Sequence, residues 1–141
     1  DVTIVEPNAD RRKFLINTCG QNAVAAGSGM YPIIIDAVGY AATRAVSTEL
    51  AEPGGVIAHV GLGDGEGGLD IRRMTLQEIT FIGTYAYTKQ NFRDSAQAIF
   101  DGRLGPLDWI NMRPLSEGSD AFKALLAGQV AAPKIVLDPW A

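Results

Sequence analysis

Residues 32–62 constrain the fold more than any other part of the chain. An unbroken apolar run at 33–35 is typical of a strand covered on both faces, whereas a half-exposed strand alternates. A helical pattern follows at 40–52, and a second apolar strand at 56–62 is interrupted only by His59. Two such strands joined by a crossover helix predict a parallel βαβ unit with a right-handed connection.

The helix of this unit carries one apolar stripe, made of Ala42, Ala45, Val46 and Leu50. Because their spacing of three to four residues places them on one side, we expect that side to face the sheet. Pro53 and the two glycines after it should end the helix, since proline cannot continue it.

Composition limits the class of protein. A chain of 141 residues with 47% hydrophobic and 20% charged residues is too apolar for disorder. A single domain of this size buries about 70% of its unfolded surface. The net charge of −4 argues against nucleic acid as a partner, because phosphate recognition needs clustered Lys and Arg.

Neither a membrane span nor a disulfide is expected. No apolar run approaches the ~18 residues that a transmembrane helix needs. Cys19 is the single cysteine, so there is no internal disulfide and no cysteine-based metal site. A reducing, cytoplasmic location is the prediction.

The first predicted strand, at 1–6, ends in Glu6, and Asn8 is placed to cap a helix that begins at Ala9. From position alone, Glu6 is equally compatible with a solvated strand end and with a ligand for ribose hydroxyls in a dinucleotide fold. Arg11 is likewise compatible with a solvated helix charge or with contact to adenine or ribose.

Further strands are predicted at 22–26, 79–85 and 134–137. Asn91 should cap a helix after the second of these strands. The apolar stripe of that helix is predicted to consist of Phe92, Ala96, Ile99 and Phe100.

Residues 107–112 are predicted to be irregular, although Trp109 and Ile110 should be anchored in a core. After them, Ser116 or Ser119 should cap a short helix. Its predicted buried set is Phe122, Leu125 and Leu126.

The glycine-rich stretch 63–68 formally matches G-x-G-x-x-G. We reject it as a phosphate-binding loop, because Asp64 and Glu66 would repel a pyrophosphate and residues 69–72 do not open a clear helix. A flexible surface loop is the prediction for this stretch.

The sequence shows no catalytic machinery. The single histidine, His59, fits a packed residue on a buried strand better than a general base, and one histidine cannot form a zinc site. Ser47 and Ser95 lie in helical patterns without a nucleophile elbow. Asp36 is compatible with a ligand crevice or a helix cap, and we favour the cap. The predicted catalytic and metal-ligand sets in this chain are therefore empty.

Several segments point together to one family. They are Val5-Glu6-Pro7-Asn8 with Arg11-Arg12, and the stretches 35–39, 53–62, 81–85, 114–122 and 134–137. In this order they resemble the cofactor half of the zinc-dependent medium-chain alcohol and polyol dehydrogenases. The resemblance covers nearly the whole chain and implies an α/β, Rossmann-like parallel sheet with flanking helices. It also implies NAD as the cofactor.

The same resemblance implies which residues contact that cofactor, with Glu6 and Arg11 on the adenosine side and Thr84 and Tyr85 near the nicotinamide. The full implied set is Glu6, Asn8, Arg11, Val38, Gly39, Val60, Gly61, Leu62, Thr84 and Tyr85.

The chain departs from that family at its start, because it begins at strand 2 of the usual order 3-2-1-4-5-6. Strand 1, its glycine loop and the zinc-bearing catalytic domain are missing. We therefore expect residues 1–141 to be a partial, incomplete dinucleotide-binding domain that is inactive alone. Strand 1 belongs between strands 2 and 4, which leaves two exposed edges. The last strand, 134–137, is expected to lack its partner.

The interpretation we adopt is the NAD-binding part of an oxidoreductase that acts on an alcohol or polyol, with zinc held by the missing domain. An S-adenosylmethionine-dependent methyltransferase and a non-catalytic interaction domain stay open as alternatives. The resemblance implies a homodimer through the edge at 69–85, with Thr80, Phe81 and Ile82 close to the partner. Strand exchange at the open centre of the sheet is another route to a dimer.

Overall fold

The computed structural model describes residues 1–105 and 107–141, and the chain forms two compact units. The first unit comprises residues 1–26 and 92–141, and the second comprises residues 27–91. Both contain parallel strands and helices, which confirms the predicted α/β class.

The elements follow one another in a regular alternation over most of the chain. They are β1 (Ile4–Val5), α1 (Ala9–Asn17), β2 (Ala23–Val24), β3 (Tyr31–Asp36), α2 (Ala41–Leu50), β4 (Ala51–His59), α3 (Ile71–Leu76), β5 (Thr80–Gly83), α4 (Lys89–Phe100), β6 (Ile110–Pro114), a short 3-10 helix (Leu115–Glu117), α5 (Gly118–Leu126) and β7 (Lys134–Asp138).

The second unit is built on a parallel sheet in the order β3-β4-β5. Ile34 pairs with Ile57, and Ile57 pairs with Phe81. The predicted βαβ unit is confirmed, although the second strand begins at Ala51 and includes the Pro-Gly-Gly segment that was expected to precede it.

The core of this unit lies on one face of the sheet. Ile57 is fully buried there with Ala51 and Ile79, and Ile34, Met74 and Phe81 pack against them. On the other face Ile33 and Ile35 are 67% and 68% exposed. The prediction of a strand covered on both faces is therefore wrong for the described chain. Alternate side chains of a strand point to opposite faces, and only the Ile34 side meets a packed layer.

The buried side of α2 also differs from the prediction. It consists of Arg44, Ser47 and Thr48, whereas Val46 of the expected apolar stripe is exposed. The Thr48 hydroxyl donates to the Arg44 carbonyl oxygen at 2.7 Å. Polar groups are tolerated inside because they are hydrogen-bonded.

A third helix, α3, was not expected from the sequence. Its N-terminus is capped by Asp70, whose Oδ1 accepts from the Arg73 N–H at 2.8 Å. The Arg73 guanidinium donates to the carbonyl oxygens of Thr48, Glu49 and Ala51 at 2.8, 3.2 and 3.0 Å. Arg73 therefore satisfies carbonyls that the end of α2 leaves without helical partners.

In the first unit, β1 and β2 form a short parallel pair, which confirms the weak predicted strand at 22–26 in shortened form. Asn8 caps α1 as predicted, with Oδ1 accepting from the N–H groups of Asp10 and Arg11 at 3.0 Å each.

A second parallel pair in the first unit contradicts two expectations. Ile110–Pro114 is a strand rather than an irregular segment, and it pairs with Lys134–Asp138, which therefore has a partner. The two strands are far apart in sequence, so local residue preferences do not reveal their pairing. Ile110 is exposed and Trp109 is only half-buried.

The caps and buried faces of α4 and α5 also differ from expectation. Thr88 and Asn91 bond reciprocally, so that α4 begins at Lys89, and its side chains Phe92, Ile99 and Phe100 are exposed. In α5 neither serine caps the helix. Gly118 and Ala121 are its buried residues, and the expected set of Phe122, Leu125 and Leu126 is exposed.

Among the described residues, no helix is both long and apolar enough to span a bilayer.

Candidate functional site

The carboxyl ends of three neighbouring strands meet at one edge of the second unit. Asp36 pairs with His59, and His59 pairs with Gly83, so β3, β4 and β5 end at the same level. The segments after them are residues 37–40, 60–64 and 84–85. In open parallel sheets, ligands bind in the crevice outside these ends.

A buried carboxylate organises this edge. Oδ1 of Asp36 accepts from the N–H groups of Val38 and Gly39 at 3.1 and 2.9 Å. Oδ2 accepts from the Thr43 hydroxyl at 3.1 Å and lies 3.1 Å from Nδ1 of His59. Asp36 is only 4% exposed. The Asp36 carboxylate accepts from backbone N–H groups of the turn before α2, and not from those of the helix itself. Asp36 therefore stabilises the turn and is not the helix cap that the sequence predicted.

These contacts determine the charge state of Asp36. Burial is the largest influence and opposes ionisation. The hydrogen bonds from Gly39, Val38 and Thr43 and the charge of His59 together outweigh it, and the pKa of Asp36 is lowered. The carboxylate is therefore ionised at neutral pH and holds the turn as an acceptor.

His59 is a packed residue, as predicted. Its side chain is 17% exposed, with one ring nitrogen at Asp36 and the ring centroid 5.2 Å from that of Phe81. Its backbone oxygen accepts from the Thr84 N–H at 2.8 Å. His59 therefore connects the ends of all three strands.

Two glycines allow the first two strand ends to touch. A Cβ built on Gly39 would overlap the Gly61 carbonyl, and one built on Gly61 would overlap the backbone of Val38. The Val60 and Gly61 N–H groups donate to the Asp36 carbonyl oxygen at 2.9 and 3.0 Å. Side chains at either glycine would separate the two segments.

Seven of the residues implied to contact the cofactor lie at this edge. Gly39 and Gly61 lie in backbone contact, Thr84 is bonded to the end of β4, and Val38, Val60 and Leu62 have exposed side chains beside them. Tyr85 follows Thr84, and its ring is exposed. The edge thus combines two closely packed, buried glycines with an exposed apolar surface beside them.

The glycine-rich stretch 63–68 is held in place, which corrects the prediction of a flexible loop. Arg44 donates to the carbonyl oxygens of Asp64, Glu66 and Gly67 and to Oδ1 of Asp64. The sequence offered no sign of this, because Arg44 lies amid an apparently apolar helix and its partners are twenty or more residues away.

The two residues predicted on the adenosine side, Glu6 and Arg11, lie near Asn8 in the first unit. The Asn8 N–H donates to Oε1 of Glu6 at 2.8 Å, and within the described chain Oε2 takes part in no hydrogen bond. Arg11 donates from Nε to the Val130 oxygen at 3.4 Å. Glu6 and Arg11 line one cavity of about 290 Å³, whose other walls are Leu15, Leu125 and residues 130–133.

A larger cleft of about 820 Å³ lies beside α2 in the second unit. Its walls come from residues 27–30, the exposed side of α2, Gly68, Asp70 and Arg73. None of the predicted site residues lines it, and the strand-end edge remains the candidate site.

The described residues do not fit a zinc ion. Among them no group of three or more His, Cys, Asp or Glu side chains is arranged to hold a metal.

Comparison with known proteins identifies the family. A family model described as zinc-binding dehydrogenase matches residues 2–101. The chain belongs to the zinc-binding dehydrogenase family. A sequence comparison with curated proteins gives no match.

Solved structures share the fold of this zinc-binding dehydrogenase chain. Acetophenone reductase from Geotrichum candidum, in complex with NAD, aligns with TM-score 0.81 and 17% identity over 96% of this chain and 40% of its own. L-Idonate 5-dehydrogenase from Escherichia coli aligns with TM-score 0.78 and 16% identity over 97% of this chain and 42% of its own. A cobalt- and zinc-bound thermostable alcohol dehydrogenase from Pyrobaculum aerophilum aligns with TM-score 0.78 and 19% identity over 98% of this chain and 42% of its own. The chain spans about two fifths of the length of these structures.

Replacing Asp36 by Asn should test the strand-end network through pH. Because folding lowers the pKa of Asp36, the folded state binds fewer protons than the unfolded state around pH 4. The ionised Asp36 therefore adds to the free energy of unfolding above about pH 4, and this contribution is lost as the pH falls below about 4. At pH 7 we expect Asp36→Asn to lower the free energy of unfolding by about 1–3 kcal/mol, measured by urea denaturation.

The difference between wild type and Asp36→Asn should shrink below about pH 4. Asp10→Asn is the matched control, because the Asp10 side chain is almost fully exposed. It should cost less than about 0.5 kcal/mol at pH 7. An Asp36→Asn deficit that stayed the same at pH 3 and pH 7 would contradict the assigned charge state.

Proposed function

We propose that this chain is the NAD-binding part of an oxidoreductase that transfers a hydride between an alcohol or polyol and the nicotinamide cofactor. The observation that carries the proposal is the family match over residues 2–101, combined with glycine-bearing strand ends at the carboxyl edge of a parallel sheet. The named neighbours include an NAD-bound reductase and two dehydrogenases, which supports the same cofactor and substrate class.

The residues of this chain suit a dinucleotide. Glu6 has a carboxylate oxygen free to accept from ribose hydroxyls, and its charge would repel a 2′-phosphate, which favours NAD over NADP. Arg11 shares the Glu6 cavity and would contact the adenosine half. Asn8 is engaged in capping α1 and would act by fixing Glu6.

The strand-end segments would hold the nicotinamide half. Gly39 and Gly61 are buried against each other, so they would act by fixing the two strand ends in close contact. Val38, Val60 and Leu62 provide the apolar surface, and Thr84 and Tyr85 complete the edge after β5. The cofactor would accept the hydride released when the alcohol C–H bond breaks, while the hydroxyl proton leaves and a carbonyl forms.

Zinc in the whole enzyme would be held outside these residues, since the described part of the chain provides no ligand group. Residues 1–141 would then be a partial dinucleotide-binding domain followed by a tail that joins a catalytic domain. The family match does not favour a methyltransferase or a non-catalytic interaction domain, because the matched model is that of a dehydrogenase.

A homodimer through the outer edge of β5 belongs to the same proposal. β5 is an edge strand of the described sheet, and Thr80 and Ile82 are exposed along it. Phe81 packs against the Ile57 core instead, so its backbone and not its ring would face a partner. Exchange of strands at the unpaired edges of β1 and β3 is the alternative mode of association. The proposed location is the cytoplasm, which fits the single cysteine.

Residues 1–141 alone should not oxidise alcohols. The chain spans about two fifths of the length of its structural relatives, and the part that the structure describes contains no metal-ligand group, so the chemistry would depend on residues elsewhere. We expect no NADH formation with a panel of secondary alcohols and polyols, and weak or undetectable NADH binding in a fluorescence titration. Tight NADH binding by residues 1–141 would contradict the proposed need for the rest of the enzyme.

In the full-length protein, Glu6→Gln should weaken NADH binding about tenfold and reduce its preference over NADPH, because the ribose acceptor and the repelling charge are both lost. Fluorescence titrations with the two cofactors measure both effects. Glu117→Gln is the control, since Glu117 is exposed and outside the cavity. Unchanged affinities for both cofactors in Glu6→Gln would overturn the adenosine assignment.

A further inference from the structure

The second unit contains a buried guanidinium that no part of the proposed cofactor binding uses. The Arg44 side chain is 7% exposed and lies at the first turns of α2. Its Nε donates to the Gly67 oxygen at 2.7 Å, and Nη1 donates to the Gly39 and Asp64 oxygens at 2.8 and 3.0 Å. Nη2 donates to Oδ1 of Asp64 and to the Glu66 oxygen.

These five contacts join two segments of the strand-end edge. The Gly39 oxygen belongs to the turn after β3, whereas the other acceptors belong to the stretch after β4. The Gly39 oxygen also accepts from the Asp64 N–H at 3.0 Å, and the Val38 oxygen accepts from the Gly63 N–H at 3.1 Å. Arg44 therefore sits at the junction that sets the distance between Gly39 and Gly61.

Asp64 completes this arrangement from the loop side. Oδ2 of Asp64 accepts from the Ala41 N–H at 3.2 Å, which places a carboxylate at the positive end of α2. The hydrogen bond from Arg44 is the main reason that the pKa of Asp64 is lowered, and burial opposes it only in part. A charged Asp64 thus links the loop to both the helix end and the guanidinium.

We propose that Arg44 and Asp64 form a clamp that positions the two glycine-bearing strand ends for the dinucleotide. The proposal rests on the proposed cofactor binding and adds two positioning residues to it. Neither side chain needs to touch the cofactor. The guanidinium is required because it has five N–H donors for these five oxygens, whereas a lysine ammonium has only three.

Arg73 of α3 provides a matched control within the same unit. It too is an arginine whose guanidinium donates to three backbone oxygens, but those oxygens lie at the opposite end of α2. Loss of either guanidinium removes structural hydrogen bonds. Only loss of Arg44 should disturb the strand ends.

The test compares Arg44→Met, Arg44→Lys, Asp64→Asn and Arg73→Met in the full-length protein. NADH affinity is measured by fluorescence titration, thermal unfolding by calorimetry, and amide hydrogen exchange at residues 60–64 by mass spectrometry. Both methionine variants should unfold at lower temperature. Arg44→Met should weaken NADH binding at least about tenfold, because small misplacements of a binding edge are costly. The NADH affinities of Arg44→Lys and Asp64→Asn should lie between those of Arg44→Met and the wild type.

Arg73→Met should change NADH affinity by less than about twofold and leave exchange at 60–64 slow, since its contacts are distant from that edge. Arg44→Met should speed exchange there. Equal NADH affinities for Arg44→Met and Arg73→Met, or unchanged exchange at 60–64 in Arg44→Met, would overturn the clamp. A wild-type protein that binds no NADH would refute the proposed function instead, and the exchange measurement would still decide whether the clamp exists.

Discussion

The ionised carboxylate of Asp36 is the interaction on which the candidate site depends. One residue at the end of β3 binds the turn that follows it, the first turn of α2 and the last residue of β4. Because the group is buried and fully bonded, its geometry is fixed by the fold and not by solvent. The close contact of Gly39 with Gly61 follows from that geometry, since both segments bond to the same residue.

Two arginines of the second unit also hold backbone segments in place, at the two ends of α2. Arg44 bonds backbone oxygens beside the start of α2, and Arg73 bonds those at its end. A helix that buries its polar side is unusual, but each buried donor here has an acceptor, which removes most of the cost of burial. The ends of β3 and β4 are thereby held in fixed positions, and we propose that they support the dinucleotide.

The sequence predicted those parts of the fold that depend on local patterns. The apolar runs and the helix between them identified the parallel βαβ unit, and Asn8 was recognised as a cap from its position alone. Parts that depend on distant partners were missed. Arg44 is buried only because residues 64–67 supply its acceptors, and β6 is a strand only because β7 pairs with it. The helix α3 was also missed, although its cap, Asp70, is a local signal. At the candidate site, the strand-end glycines were named through family resemblance, whereas the structural roles of Thr43, Arg44 and Asp64 were not predicted.

A crystal structure of the full-length protein with NADH would test most directly whether the strand ends bind the cofactor. We expect the nicotinamide half to lie against the exposed side chains of Val38, Val60 and Leu62, next to Gly39 and Gly61. We expect the adenosine ribose to lie within hydrogen-bond distance of the Glu6 carboxylate. A dinucleotide bound away from these glycines, or with its ribose hydroxyls out of reach of Glu6, would contradict the proposed cofactor site.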